Sequence, residues 1–178
     1  MRTGIALGSN LGDRLAYLCM GRALIEALPG VSAPLLSSRV WETEPVGCPP
    51  GSPAFFNAVI EIDWAGEPGA LLDALLSFEQ KAGRPTTHGV NTPRTLDLDL
   101  LYIGNKTLTS KRLVLPHPRI GHRLFVLQPL CDIRPDLCLP GWDMPASTRL
   151  AQLYAWIQQN AETRIAPLPF IRLAGEQW

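Results

Sequence analysis

No Cys-x-x-Cys pair occurs in this chain, and Cys19, Cys48, Cys131 and Cys138 fall into no Cys/His zinc spacing. A disulfide framework or a metal cage is therefore excluded as the organising device, and reduced thiols are expected. An excess of charge is missing as well. Sixteen basic and sixteen acidic residues cancel, so no overall field draws the protein to nucleic acid or to an anionic membrane. Basic stripes interleaved with aromatics, the usual mark of a nucleic-acid binder, are absent. Nor do about eighteen apolar residues run together anywhere, and the apolar stretch after Met1 is too short for a signal peptide. These absences predict a cytoplasmic protein with no membrane and no nucleic-acid partner; a monomer is expected.

What is present is enough apolar material for one core: 46% of 178 residues are hydrophobic, a size that fits a single domain. The stretch that stands out is Arg94-Thr95-Leu96-Asp97-Leu98-Asp99-Leu100-Leu101-Tyr102. Its polarity alternates with period two, so in a strand Leu96, Leu98 and Leu100 share one face while Asp97 and Asp99 project from the other. Same-face neighbours lie roughly 6.5–7 Å apart at Cα. Two carboxylates at that spacing can share a pair of divalent cations about 3.5–4 Å apart. An edge strand blunted by charge shows the same pattern, but apolar residues continuing through Leu101 and Tyr102 argue for an interior strand, where two like charges facing a crevice call for a cation.

Along the chain, strands are predicted near 4–8, 33–41, 54–62 and 96–102. Helices are predicted from Asp13 to about Leu28 and from Pro68 to Gly83, with a short buried helix at 125–130 and a last amphipathic one through Leu150, Leu153, Tyr154 and Ile157. The turn Gly8-Ser9-Asn10-Leu11-Gly12-Asp13 lacks the Lys-Ser/Thr ending of a phosphate loop and the spacing of a dinucleotide fingerprint, and reads as structural. Two long Pro/Gly-rich segments, about 43–53 and 84–94, are too irregular for secondary structure and are expected to move with ligand. The second is bounded by Arg84 and Arg94, which would bring two guanidinium groups to the carboxylate strand, a combination suited to clamping a polyphosphate. In the third strand Phe55 and Asn57 share a face, an aromatic plate beside an amide that suits a flat heterocycle. The order β-α-β-β-α-β is that of an α+β ferredoxin-like sandwich with an antiparallel sheet and added C-terminal elements. A single domain over 1–160 is expected, with 161–178 as a tail of no assigned structure.

Several segments in one order resemble the 6-hydroxymethyl-7,8-dihydropterin pyrophosphokinase family of folate biosynthesis. They are Gly8-Ser9-Asn10-Leu11-Gly12, Thr43-x-Pro45-x-Gly47, Phe55-Phe56-Asn57, Glu79-x-x-x-Gly83-Arg84, Pro93-Arg94-Thr95-Leu96-Asp97-Leu98-Asp99 and Pro116-His117-Pro118-x5-Arg123-x-Phe125. The resemblance implies the same sandwich fold, ATP as co-substrate and transfer of its β,γ-diphosphate to the pterin hydroxymethyl group, leaving AMP. It implies two Mg²⁺ ions on Asp97 and Asp99, with Arg84 and Arg94 as further catalytic residues. A pterin site would comprise Thr43, Glu44, Val46, Phe55, Asn57 and Phe125. An ATP site would comprise Glu79, Arg84, Arg94, Leu100, His117, Pro118 and Arg123. The chain departs from the family pattern at Asn91-Thr92, where many members carry a tryptophan nearby, and at Phe55 and Pro118, positions often held by tyrosine. Read from the residues alone, a two-metal nucleotidyltransferase and a non-catalytic ligand-binding module of the same fold remain alternatives.

Overall fold

The computed structural model describes residues 1–83, 92–162, 171–175 and 178. Eight strands, β1 (Arg2–Ser9), β2 (Val31–Ser37), β3 (Val40–Thr43), β4 (Phe55–Trp64), β5 (Asp97–Ile103), β6 (Leu108–Thr109), β7 (Val114–Leu115) and β8 (Ile171–Gly175), are interleaved with four helices, α1 (Arg14–Glu26), α2 (Pro68–Lys81), α3 (Leu124–Ile133) and α4 (Ala146–Glu162). The main sheet runs β5-β1-β4-β3-β8, with β2 also paired to β4, and β6-β7 form a separate ribbon. Every pairing is antiparallel.

Strand alternation creates two cores. Ile5, Leu7, Ala58, Ile60, Ile62, Leu98 and Leu100 turn to one face and pack with Leu18 and Ile25 of α1 and Leu71, Leu75 and Phe78 of α2. Val59, Leu101 and Tyr102 turn to the other, against Val126, Leu127 and Leu130 of α3. Burial of this apolar area supplies the driving force. Asp13 caps α1, its Oδ1 accepting from the Ala16 N–H at 3.0 Å, and Pro68 occupies the first turn of α2, where its missing N–H costs nothing.

Two expectations are corrected. The strand expected over 33–41 is two, β2 and β3, broken at Ser38–Arg39. There the Ser38 hydroxyl replaces a ladder carbonyl and accepts from the Val59 N–H at 2.9 Å. The carboxylate strand β5 is not interior but ends the sheet order. Its edge is closed by other groups: Glu79 Oε1 takes the Leu98 N–H at 2.8 Å, and the His117 N–H donates to the Leu101 carbonyl at 2.7 Å. Within the tail beyond residue 160, β8 pairs with β3 and the Trp178 indole N–H donates to the Ser38 carbonyl at 2.7 Å. The segment 84–91, including Arg84 and Asn91, lies outside the described residues. No helix among the described residues is long and apolar enough to cross a membrane.

One polar knot ties the second face together. Glu61 on β4 is fully buried, and its carboxylate meets Arg2 Nε at 2.9 Å and Arg134 Nη1 at 2.6 Å. The Tyr102 hydroxyl donates to it at 2.5 Å. Tyr102 reaches this point because its ring lies flat on Gly4, where any Cβ would come within 2.3 Å of the ring. Burial, reinforced by the Glu61 carboxylate, raises the phenol above its ordinary range and keeps it a donor. Glu61→Ala is expected to cost about 1–3 kcal/mol, the scale for leaving a buried donor, here the Tyr102 hydroxyl, without its acceptor, read as a lower urea midpoint with unchanged slope.

Candidate active site

Across one end of the sheet, pairing sets a row of side chains side by side: Asp97 on β5 stands opposite Gly8 on β1, Gly8 opposite Asn57 on β4, and Asn57 opposite Trp41 on β3. Above this row opens a cavity of about 500 Å³. One side is formed by Thr43 at the end of β3, by Glu44 and Val46 from the loop that follows, by Phe55 and Asn57, and by Phe125 at the start of α3. Its other side is formed by Glu79, Arg94, Leu100, His117, Pro118 and Arg123, with Asp97 and Asp99 between. Every expected site residue among those described therefore lines one cavity.

The carboxylates are already neutralised by guanidinium groups. Arg94 Nη1 donates to Asp97 Oδ1 at 2.7 Å, and Arg123 Nη1 lies 3.5 Å from Asp99 Oδ2. Burial raises the Asp99 carboxyl above the usual carboxylate range and the neighbouring Asp97 adds to it, while Arg123, Arg94 and Arg119 offset part of the rise. Two hard oxygen donors facing one space and held by stand-in cations are a fit for Mg²⁺. Among the described residues no third carboxylate, histidine or cysteine completes a protein cage. That also suits Mg²⁺, which is commonly held by one or two carboxylates plus substrate phosphates and water.

His117 is tuned to neutrality. Burial lowers its pKa to about 4, and Arg123 and Arg119 push in the same direction. The Arg119 backbone N–H donates to Nδ1 at 3.3 Å, so the imidazole proton sits on Nε2, a donor without net charge. Asn57 Nδ2 donates to Thr43 Oγ1 at 2.7 Å, which leaves Asn57 Oδ1 as an acceptor at the cavity floor. Arg123 lies over the Phe125 ring, 5.3 Å from its centroid.

Some of the site was missed in the sequence. Glu79, one of the expected residues, plays a part that the sequence does not indicate: only 2% exposed, it fixes Leu98 between the two aspartates. Arg112, Arg119, Leu72, Leu76 and Val114 also line the cavity; arginines on the β6–β7 ribbon and after His117 were the available signal. Asn10, read as a turn residue, is a buried clasp. Its Oδ1 accepts from the Arg94 N–H at 2.7 Å, its own N–H donates to the Arg94 carbonyl at 3.1 Å, and its Nδ2 donates to the Pro53 carbonyl at 3.2 Å. It thus pins the ends of both Pro/Gly-rich segments where they rejoin the sheet.

The model of the 7,8-dihydro-6-hydroxymethylpterin-pyrophosphokinase (HPPK) family matches residues 4–135. The chain belongs to the HPPK family. It is 41% identical over 130 residues to the Bacillus subtilis 2-amino-4-hydroxy-6-hydroxymethyldihydropteridine pyrophosphokinase, covering 72% of this chain and 75% of that one. The enzyme of the same name from a Synechocystis species is 35% identical over 164 residues, covering 92% of this chain and 80% of the relative. A crystal structure of an HPPK-DHPS in complex with substrates superposes with a TM-score of 0.71 at 13% identity over 94% of this chain, and thus shares the fold. The present chain spans 46% of that longer protein. The HPPK match ends near the close of α3, so α4 and β8 lie outside it.

Two outcomes are expected. The imidazole of His117 should titrate by NMR at about 4 and show no step near pH 6.5. Because the folded value is depressed, this residue should remove stability as pH falls from 6.5 towards that value. Asn10→Ala should lower turnover by about tenfold or more through misplaced Arg94, with secondary structure unchanged by circular dichroism.

Proposed function

We propose that this protein transfers a diphosphate group from ATP to the hydroxymethyl group of 6-hydroxymethyl-7,8-dihydropterin, giving AMP and the pterin diphosphate, in folate biosynthesis. The observation that carries the reading is the single cavity in which an aromatic–amide pocket and an arginine-rich wall meet at two carboxylates. The names of the relatives and family membership support it.

Phe55 and Phe125 stack on the two faces of the pterin, and Thr43, Asn57 and the loop backbone at Glu44 and Val46 meet its amide-like edge. Asn57 accepts through Oδ1 while its second Nδ2 hydrogen remains to donate. On the nucleotide side, Arg94 and Arg123 exchange their carboxylate partners for phosphate oxygens, and His117 donates from Nε2 without adding charge. Arg84 belongs with these by its motif position. Asp97 and Asp99 would hold two Mg²⁺ ions, which when bound would screen phosphate charge and acidify the acceptor hydroxyl. The hydroxymethyl oxygen gives up its proton to solvent and forms its bond to the β-phosphorus as the bond from that phosphorus to the α–β bridging oxygen breaks and AMP leaves. The chain itself positions the reactants and stabilises the developing charge, which together account for most of the catalysis in phosphoryl transfer.

We also read the sheet as ferredoxin-like, a reading supported by the order β5-β1-β4-β3 with α1 and α2 on one face. The working unit is a monomeric domain over 1–160, with no nucleic-acid or membrane partner.

Incubation with ATP, Mg²⁺ and the reduced pterin, followed by ³¹P NMR, is expected to give AMP and a pterin diphosphate. Released pyrophosphate would point instead to nucleotidyl transfer, and no turnover to a binding module. Asp99→Asn should lower kcat by about 10²–10³-fold while leaving the melting temperature of the free protein equal or higher, because it removes a carboxylate whose charged form is disfavoured there. A melting temperature clearly below wild type would count against this account.

A further inference from the structure

The centre of the floor row is a residue with no side chain. Gly8 lies between Asp97 on one neighbouring strand and Asn57 on the other. A Cβ built there would come 3.2 Å from Asn57 Oδ1, 3.7 Å from Asp97 Cβ and 3.7 Å from Phe55 Cδ1. Gly8 is not among the positive-φ glycines, so its backbone permits any residue. What the position requires is space, not conformational freedom.

The three side chains around that space belong to both halves of the site. Asn57 Oδ1 rests over Gly8 while Nδ2 of the same amide donates to Thr43 Oγ1 at 2.7 Å. A methyl group at Gly8 would press on the oxygen end of this amide, and because the amide is a rigid plane, displacing its oxygen also moves the Nδ2 that bonds Thr43. The Phe55 ring and the Asp97 Cβ are at ordinary contact distance and do not have to shift. The disturbance therefore falls on the Asn57–Thr43 pair.

We infer that Gly8 is a positioning residue for acceptor specificity: its missing side chain lets the Asn57 amide lie against β1 with its oxygen presented to the heterocycle. The inference rests on the pyrophosphokinase reading and names a determinant of its acceptor half alone. The atoms nearest to this space belong to Asn57, Asp97 and Phe55, and the one under pressure is the amide oxygen of Asn57.

The test is Gly8→Ala. In wild type and variant, binding of an ATP analogue with Mg²⁺ and then of hydroxymethylpterin to that complex is measured by calorimetry, alongside KM for each substrate and the melting curve. The expected result is a pterin Kd and KM raised about tenfold or more, the loss of one oriented hydrogen-bonding amide. ATP-analogue affinity should stay within about twofold of wild type. Unchanged pterin affinity would overturn the inference, as would equal losses for both ligands, which would mark a general distortion. A variant that does not fold would also overturn it by assigning the glycine to the fold. If wild type itself forms no AMP with pterin, the functional reading fails rather than this one.

Discussion

Antiparallel register is the constraint on which this molecule depends. Because Asp97, Gly8, Asn57 and Trp41 stand abreast on four strands, residues far apart in the chain share one floor without any loop having to reach for them. A slip of one residue in β1 would turn Leu7 into the site and Gly8 into the core. The two cores prevent it, since Ile5 and Leu7 are packed against the first pair of helices while Tyr102 is laid over Gly4 on the opposite face. Site geometry and core packing are thus enforced by the same alternation.

Much of this was legible in the sequence because period-two patterning reports faces directly. Asp97 with Asp99, and Phe55 with Asn57, share the cavity as their spacing implied. Other features depend on contacts that a one-dimensional pattern does not carry. The apolar run through Leu101 and Tyr102 looks like an interior strand, yet β5 ends the sheet, because a glutamate from α2 and the backbone of His117 cover its edge. Ser38 looks like any strand serine until its hydroxyl is seen to break a ladder. Asn10 sits in a turn-like string, and only the fold brings Arg94 and Pro53 to it. β8 is a short strand far from its partner in sequence, with little local signal of its own.

Electrostatics follows a similar division between what is local and what is assembled. The chain is neutral overall, yet several arginines converge on one cavity. Their charge is balanced where they stand: Arg94 on Asp97 and Arg123 beside Asp99. The imidazole among them is kept uncharged, so the wall is a set of donors with only modest net charge. Such a surface receives a polyanion by exchanging partners and not by relieving bare repulsion.

The resident guanidinium groups also separate the protein's survival from its supply of divalent cations. Small zinc domains are unfolded without their metal, because the ion is part of their folding energy. Here each carboxylate already has a protein counter-ion, and the cores that hold the strands lie away from it. With Mg²⁺ held as proposed, scarcity of the ion would idle the enzyme without emptying the folded population. Recovery would then require only the arrival of metal and nucleotide, with no new synthesis and no refolding.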